Sequence, residues 1–427
     1  MSGRTMALRL DEHLDRPLLY GEGSEAARLA MRIIVRMAEI AGADRLLSIE
    51  GAHIDSSVYL GPATLDFAER LAAAGGRVVV PSTLNVSGVD EHGWRRWAVP
   101  SDWAEQASRQ MRAYLAMGCA PTWTCAPYQG PARPTFGQQL AWGESNAIAF
   151  ANTVIGARTE RYPDLLDICA AITGRVPAVG LHLDEHRAGR LAIRLKGIPV
   201  ALQEHPTFLP VLGHAVGRRA GELVPVVEGL DVPCPEDRLK GFCAAAASSG
   251  AVALCHLIGI TPEASSRADA FQGGQPLESV ELTVDDLRAA RAELTRGHGH
   301  ALDLVVLGSP HFSLQEFRDL APLVRGRRKH DRLRFLVTSS RMMVELAERA
   351  GLLAALRDFG GELTVDTCIL TSPMLPPGLD TLMTNSAKYA YYSPGLLGMN
   401  VVFGSLADCV DSAVAGRVVI DEGPWGS

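Results

Sequence analysis

The stretch LDLVVLGSPHFSLQEFRDLAPLV, residues 302–324, decides the fold class. It opens on LDLVVLGS (302–309), a short, nearly continuous apolar run of the kind that forms a buried strand, and passes into SLQEFRDLAPLV, where apolar residues recur at helical spacing. A strand handed directly to a helix is the first half of a parallel crossover unit. The pattern continues outward in both directions. Downstream, LRFLVTS (333–339), LTVDTCIL (363–370) and NVVFGSL (400–406) read as strands, with RMMVELAERAGLLAALRDFG (341–360) as a helical run between them. Upstream, RLLSIE (45–50), RVVV (77–80), PAVGLHL (177–183), LVPVVEGL (223–230) and AVALCHLIGI (251–260) alternate with helical runs such as EAARLAMRIIVRMAEIAGA (25–43), TLDFAERLAAAGG (64–76) and WAEQASRQMRAYLAMG (103–118). An α/β fold built on parallel sheets is expected.

Two stretches break the alternation, 100–157 and 204–221, and both are rich in Pro, Gly, aromatic and polar residues, the composition of loops that carry function. Residues 261–283 read as a polar connector. The chain is accordingly expected to divide into lobes at 1–160, 161–283 and 284–427.

The 427 residues carry 41 Lys and Arg against 48 Asp and Glu, a net charge of −7. That balance lacks the positive field a phosphate backbone requires, so nucleic acid is excluded as a partner. The longest apolar stretch, 251–260, contains His256 and is half the roughly 20 residues a membrane helix needs. The amino terminus turns charged before a signal-peptide core can form, which places the protein in the cytoplasm. Eight cysteines in a chain of this length are too few for a disulfide scaffold. A GxSxG elbow, a GxxxxGK[ST] loop, HExxH and a strand–GxGxxG–helix fingerprint are all missing, which removes most of the weight from hydrolase, NTPase, zinc-protease and NAD-dependent readings.

In open α/β sheets ligands collect beyond the carboxyl ends of strands. Four such ends in the last third of the chain are polar: Gly308–His311, Thr338–Arg341, Asp366–Cys368 and Gly404–Ser405. They are expected to converge on one crevice. His53–Ser57 and Asn85 extend the set from the first half. In GCAPTWTCAPYQG (118–130), Cys119 and Cys125 do not have CxxC spacing, so a metal there needs ligands from distant segments. Cys125 with Cys368 suits an iron or iron–sulfur site, and buried thiols are the other reading. Cys169, Cys243, Cys255 and Cys409 lie on apolar runs and read as core, and Cys234 as a loop thiol. In WGESN (142–146), Ser145 or Asn146 is expected to cap the following helix, with Glu144 at its positive end. Lys388, in TNSAKY (384–389), is either a surface lysine or a partner for a substrate carboxylate.

Taken together, GCAPTWTCAPY, AWGESNAIAFANTVIGARTERYPD, GSPHFSLQEF, VDTCIL, TNSAKYAYYSPG and FGSLADCVDSAVAGRV resemble the large, catalytic part of the aconitase X family over about residues 18–417. The resemblance implies an aconitase-like fold, with several parallel-sheet α/β lobes around a central cleft, and a dehydratase activity. The substrate is expected to be cis-3-hydroxy-L-proline. Phosphomevalonate is the alternative substrate, and a non-catalytic iron-sensing protein of the same fold is the alternative of another class. The family's iron ligands fall on Cys125 and Cys368. At the third position, where archaeal members have Cys-Pro-His, this chain has Ser309-Pro310-His311, so Ser309 becomes the candidate ligand and the iron is either an iron–sulfur cluster or mononuclear. Substrate-binding positions fall on Ser56, Ser57, Asn85 and Ser145, and Glu144, Lys388 and His311 are the catalytic candidates, with His311 secondary to a base from elsewhere. The family's mobile small domain, which contributes a catalytic serine, has no counterpart before Ser427 and is expected on a separate small subunit.

Overall fold

Five strands, Glu362–Val365, Arg334–Ser339, Leu304–Phe312, Thr381–Thr384 and Asn400–Phe403, lie side by side in that order, every pair parallel. The central strand, Leu304–Phe312, is buried at all nine positions, as a parallel strand covered on both faces must be. The computed structural model describes residues 8–21, 23–297 and 301–426. The amino-terminal reading rests partly on residues 1–7, which lie outside that set. Helices Leu314–Val324, Arg341–Arg349, Leu353–Phe359 and Ala387–Leu396 lie between strands of this sheet in the chain, and helix Leu406–Ala415 follows the last of them. Because the strands are parallel, all five carboxyl ends meet one edge of the sheet, as expected for the four polar strand ends.

A second parallel sheet runs His256–Leu257, Pro225–Glu228, Leu191–Leu195, Glu278–Leu282. A third runs Ser82–Leu84, Gly51–Ile54, Leu140–Trp142, also parallel. One antiparallel pair, Leu46–Ser48 with Arg175–Pro177, stands apart from these. The fold class is the expected α/β arrangement of several parallel sheets. Among the described residues, no helix is long and apolar enough to cross a membrane.

Several local expectations are corrected. RVVV is not a strand: Val79 is largely exposed, and pairing begins after Pro81, at Ser82–Leu84. PAVGLHL keeps only Pro177 in a strand, because the chain turns through two short 3-10 segments from Gly180. AVALCHLIGI shrinks to His256–Leu257, and Cys255 lies just before that strand. LTVDTCIL ends at Val365, where Asp366 takes a left-handed conformation (φ 64°) and swings Thr367 and Cys368 out of the sheet. The connector 261–283 contains the edge strand Glu278–Leu282. Leu140–Trp142 and Thr381–Thr384 were not anticipated, since three or four residues carry too little periodicity to stand out.

Helix Glu236–Gly250 packs against helix Phe208–Ala220 and against the short helix Ser145–Phe150. The first of these contacts is backbone to backbone: a Cβ on Gly250 would sit 1.7 Å from Gly217 O.

Candidate active site

The carboxyl ends of two sheets face one another. From the three-stranded sheet, strand Gly51–Ile54 runs into a 3-10 turn, Asp55–Ser57, strand Ser82–Leu84 ends at Asn85, and strand Leu140–Trp142 delivers Gly143 and Glu144. From the five-stranded sheet come Ser309 and His311, the 366–368 turn, and the first turn of helix Ala387–Leu396, which holds Lys388.

Glu144, and not Ser145 or Asn146, is the cap of helix Ser145–Phe150: its carboxylate accepts from Asn146 N. The same carboxylate accepts from Asn146 Nδ2 at 2.6 Å, Ser145 Oγ at 3.3 Å, Asn85 Nδ2 at 3.0 Å and Lys388 Nζ at 2.5 Å. Burial works to raise its pKa, but the Lys388 ammonium and the amide donors prevail and hold it at about 2. Lys388 is itself buried, and although burial works against its charge, Glu144 keeps it protonated. The two form a fixed pair of opposite charges. Asp55 behaves differently. Its carboxyl accepts from Asn85 Nδ2, but burial, then the nearby Glu144 and Asp167, push its pKa well above the usual carboxylate range.

Cys125 is buried and Cys368 half-buried. Burial, then Glu144, pushes the Cys125 thiol up to about 12, against the pull of Lys388, and burial raises Cys368 as well. Each thiol is within electrostatic reach of Lys388, and Cys125 within reach of Cys368. Cys125 Sγ also accepts from His311 N at 3.2 Å. Ser309 is buried, and its carbonyl takes the hydroxyl of Ser386, the cap of the Lys388 helix. Two soft thiols beside an ammonium that offsets thiolate charge are donors of the right chemistry for iron or an iron–sulfur group. Among the described residues, no set of three or more His, Cys, Asp and Glu side chains is placed to hold a metal ion.

His311 is fully buried with both ring nitrogens engaged, Nδ1 with Thr124 Oγ1 and Nε2 with Thr367 O, each at 3.2 Å. Burial lowers its pKa to about 4. A neutral ring pinned on both sides aligns the Cys125 and Cys368 loops. Ser57 Oγ bonds Ile54 O at 2.8 Å and Asn85 O at 3.3 Å. Ser56 is bound to Asp167 through both backbone N–H and hydroxyl, and its hydroxyl also accepts from Leu165 N at 2.8 Å. Cys169, Cys243 and Cys409 are buried on helices, as expected.

Sequence reasoning did not single out Asp167 or Thr124, and it named Arg341 only as part of the polar strand end Thr338–Arg341. Asp167 carried a signal, a lone acid at the head of an otherwise apolar helix. Arg341 pairs with Asp366 and, at 3.4 Å, with Asp90. Asp366 O accepts from Ser87 N at 2.6 Å, and Thr367 Oγ1 donates to Ser87 O at 2.9 Å, so the Cys368 turn is pinned to the loop after Asn85.

Opposed buried charges, two thiols and a pinned histidine at the facing ends of two parallel sheets define an α/β enzyme with its centre between those sheets. Comparison with known proteins specifies the family. Residues 7–185, 189–292 and 302–415 match the first, second and third domains of aconitase X. The chain is 48% identical over 412 residues to the cis-3-hydroxy-L-proline dehydratase of Pseudomonas aeruginosa and 46% identical over 417 residues to that of Hypocrea jecorina, in each case covering 96% of this chain and 70% of the relative. It is 36% identical to the phosphomevalonate dehydratase large subunit of Methanothermobacter thermautotrophicus, over 90% of this chain and 93% of that one. The crystal structure of Thermococcus kodakaraensis aconitase X in its holo-form superposes with a TM-score of 0.85 at 31% identity, covering 96% of this chain and all of the other. The chain belongs to the aconitase X family. It is a dehydratase, a hydro-lyase like its named relatives.

Proposed function

We propose that this chain dehydrates cis-3-hydroxy-L-proline to Δ1-pyrroline-2-carboxylate. The observation that carries the reading is the buried Glu144–Lys388 pair, an anion and a cation 2.5 Å apart, which complements a zwitterion whose carboxylate and ring ammonium are adjacent. Identity of 46–48% with the two hydroxyproline dehydratases, against 36% with the phosphomevalonate enzyme, favours the same substrate.

Cys125 and Cys368, with Ser309 at the third position, would hold iron as a cluster or a single ion, and when bound it supplies a Lewis acid for the leaving hydroxyl. Lys388 and Ser57 meet the substrate carboxylate. Positive charge there stabilises the negative charge that grows on the carboxylate as the C2 proton departs. Glu144, held ionised, takes the ring ammonium, while Asn85, Ser56 and Ser145 line the substrate side. His311 keeps the two thiol loops in register, a positioning role in preference to that of base. The C2 proton goes to a serine on a small partner subunit, a partner in keeping with the large-subunit name of the relative that this chain covers almost completely. The enamine formed tautomerises to the product. A cytoplasmic location belongs to the same proposal.

The test is turnover by the protein reconstituted with iron and its small subunit, followed by NMR. Loss of cis-3-hydroxy-L-proline with appearance of Δ1-pyrroline-2-carboxylate supports the reading. Consumption of 5-phosphomevalonate in its place, or of neither compound, rejects it.

A further inference from the structure

Asn85 is 1% exposed, and its amide nitrogen carries two hydrogens. Both are committed, one to Asp55 Oδ1 and one to Glu144 Oε2. Because Glu144 is ionised, only the NH2 end of the amide can face it. With its nitrogen bonded to both carboxyl groups, the amide leaves its oxygen a buried acceptor with no hydrogen-bond partner among the described residues. An unpaired buried acceptor costs about 1–3 kcal/mol, which a ligand donor would recover. The backbone leaves the amide little freedom: Asn85 N donates to Ile54 O at 3.0 Å, and Asn85 O accepts from Ser57 Oγ. Asp55 is equally confined, since a Cβ placed on Gly143 would lie 2.6 Å from Asp55 Cβ.

We infer that Asp55 is a positioning residue that sets substrate specificity: with Glu144 it holds the Asn85 amide so that the ligand meets a carbonyl acceptor, which selects a ring N–H donor over a ring oxygen. The inference rests on the function proposed above and deepens it. Lys388 takes the carboxylate of an imino acid, and the Asn85 carbonyl joins Glu144 on the ammonium. A site built around a hydrogen bond discriminates strongly against an analogue lacking the donor, because its own polar group is left unpaired.

Two unreactive ligands test this by calorimetry on the holoenzyme: L-proline, and tetrahydrofuran-2-carboxylate, in which an ether oxygen replaces the ring ammonium. The unsubstituted enzyme is expected to prefer L-proline at least tenfold. Asp55→Ala should narrow the preference to below threefold, and Asp55→Asn, which keeps an Oδ1 acceptor for the Asn85 amide in the same volume, should restore much of it. The ratio is taken within each variant, so a partly folded preparation does not distort it. Equal binding of both ligands by the unsubstituted enzyme, or an undiminished preference in Asp55→Ala, overturns the inference. Failure to turn over cis-3-hydroxy-L-proline would reject the proposed function instead, so the two failures are distinguishable.

Discussion

Lys388 Nζ donates to Glu144 Oε1 at 2.5 Å, joining two residues 244 positions apart and two different sheets. Both side chains are about nine-tenths buried. Removing one partner strands the other charge in a poorly solvated place, at a cost of about 3–5 kcal/mol. Lys388→Met should therefore lose about that much stability in urea titration as well as turnover. The double variant Lys388→Met/Glu144→Gln should regain most of the stability and none of the activity. A single variant as stable as the parent would show that the pair is not buried in solution.

Acid sensitivity follows from the buried histidines. Burial lowers His53 and His182 to about 3 and His311 to about 4, whereas an unfolded histidine titrates near 6.5. The native state therefore binds fewer protons than the unfolded chain below about pH 6.5, and stability present above that pH is lost as the pH falls toward the folded values. At pH 5 each such histidine costs about 2 kcal/mol. Glu144, also depressed, begins to contribute only below about pH 4.3. Urea midpoints should drop between pH 7 and pH 5, by less than the histidines alone require, because Asp55 and Asp366, whose carboxyls burial raises, bind protons in the folded state over the same range; a flat or rising profile would contradict the neutral, buried assignment.

Iron loading should depend on pH in the opposite sense. With Cys125 pushed up to about 12 and Cys368 raised, both thiols are protonated in the metal-free protein, so each proton displaced makes iron affinity rise by about tenfold per pH unit. Iron titrations at pH 6.5 and 7.5, with proton release measured alongside, check this. Cys125→Ser and Cys368→Ser should each lower bound iron sharply, while Cys169→Ala, in a helix core, should leave it intact.

Gly143 offers a steric test of the centre. A Cβ there would meet Asp55 Cβ at 2.6 Å and Asp167 Oδ2 at 2.8 Å. Gly143→Ala should cost about 1–3 kcal/mol by overpacking and should displace Glu144, the next residue, so that turnover falls further than stability predicts. A variant with parental kinetics would show that the Asp55 turn yields without moving Glu144.

The alternation of apolar strand and amphipathic helix from 302 to 406 was legible because both signals are local, and so were the polar strand ends at Gly308–His311 and Asp366–Cys368. The same locality explains the errors: RVVV has strand composition, but Pro81 and pairing with Gly51–Ile54 select Ser82–Leu84, and tertiary pairing alone makes a strand of Leu140–Trp142. The sequence by itself determined the α/β class, the family resemblance and which side chains carry chemistry. Only the tertiary structure decided which of them meet. Glu144 was readable as a residue near a helix start, yet its ionised state comes from Lys388, and the direction of the Asn85 amide comes from Asp55 and Glu144. The first relationship joins two sheets and the second joins separate strands of one sheet; in both, packing brings charges and hydrogen-bond donors within reach of one another and no sequence period records the encounter.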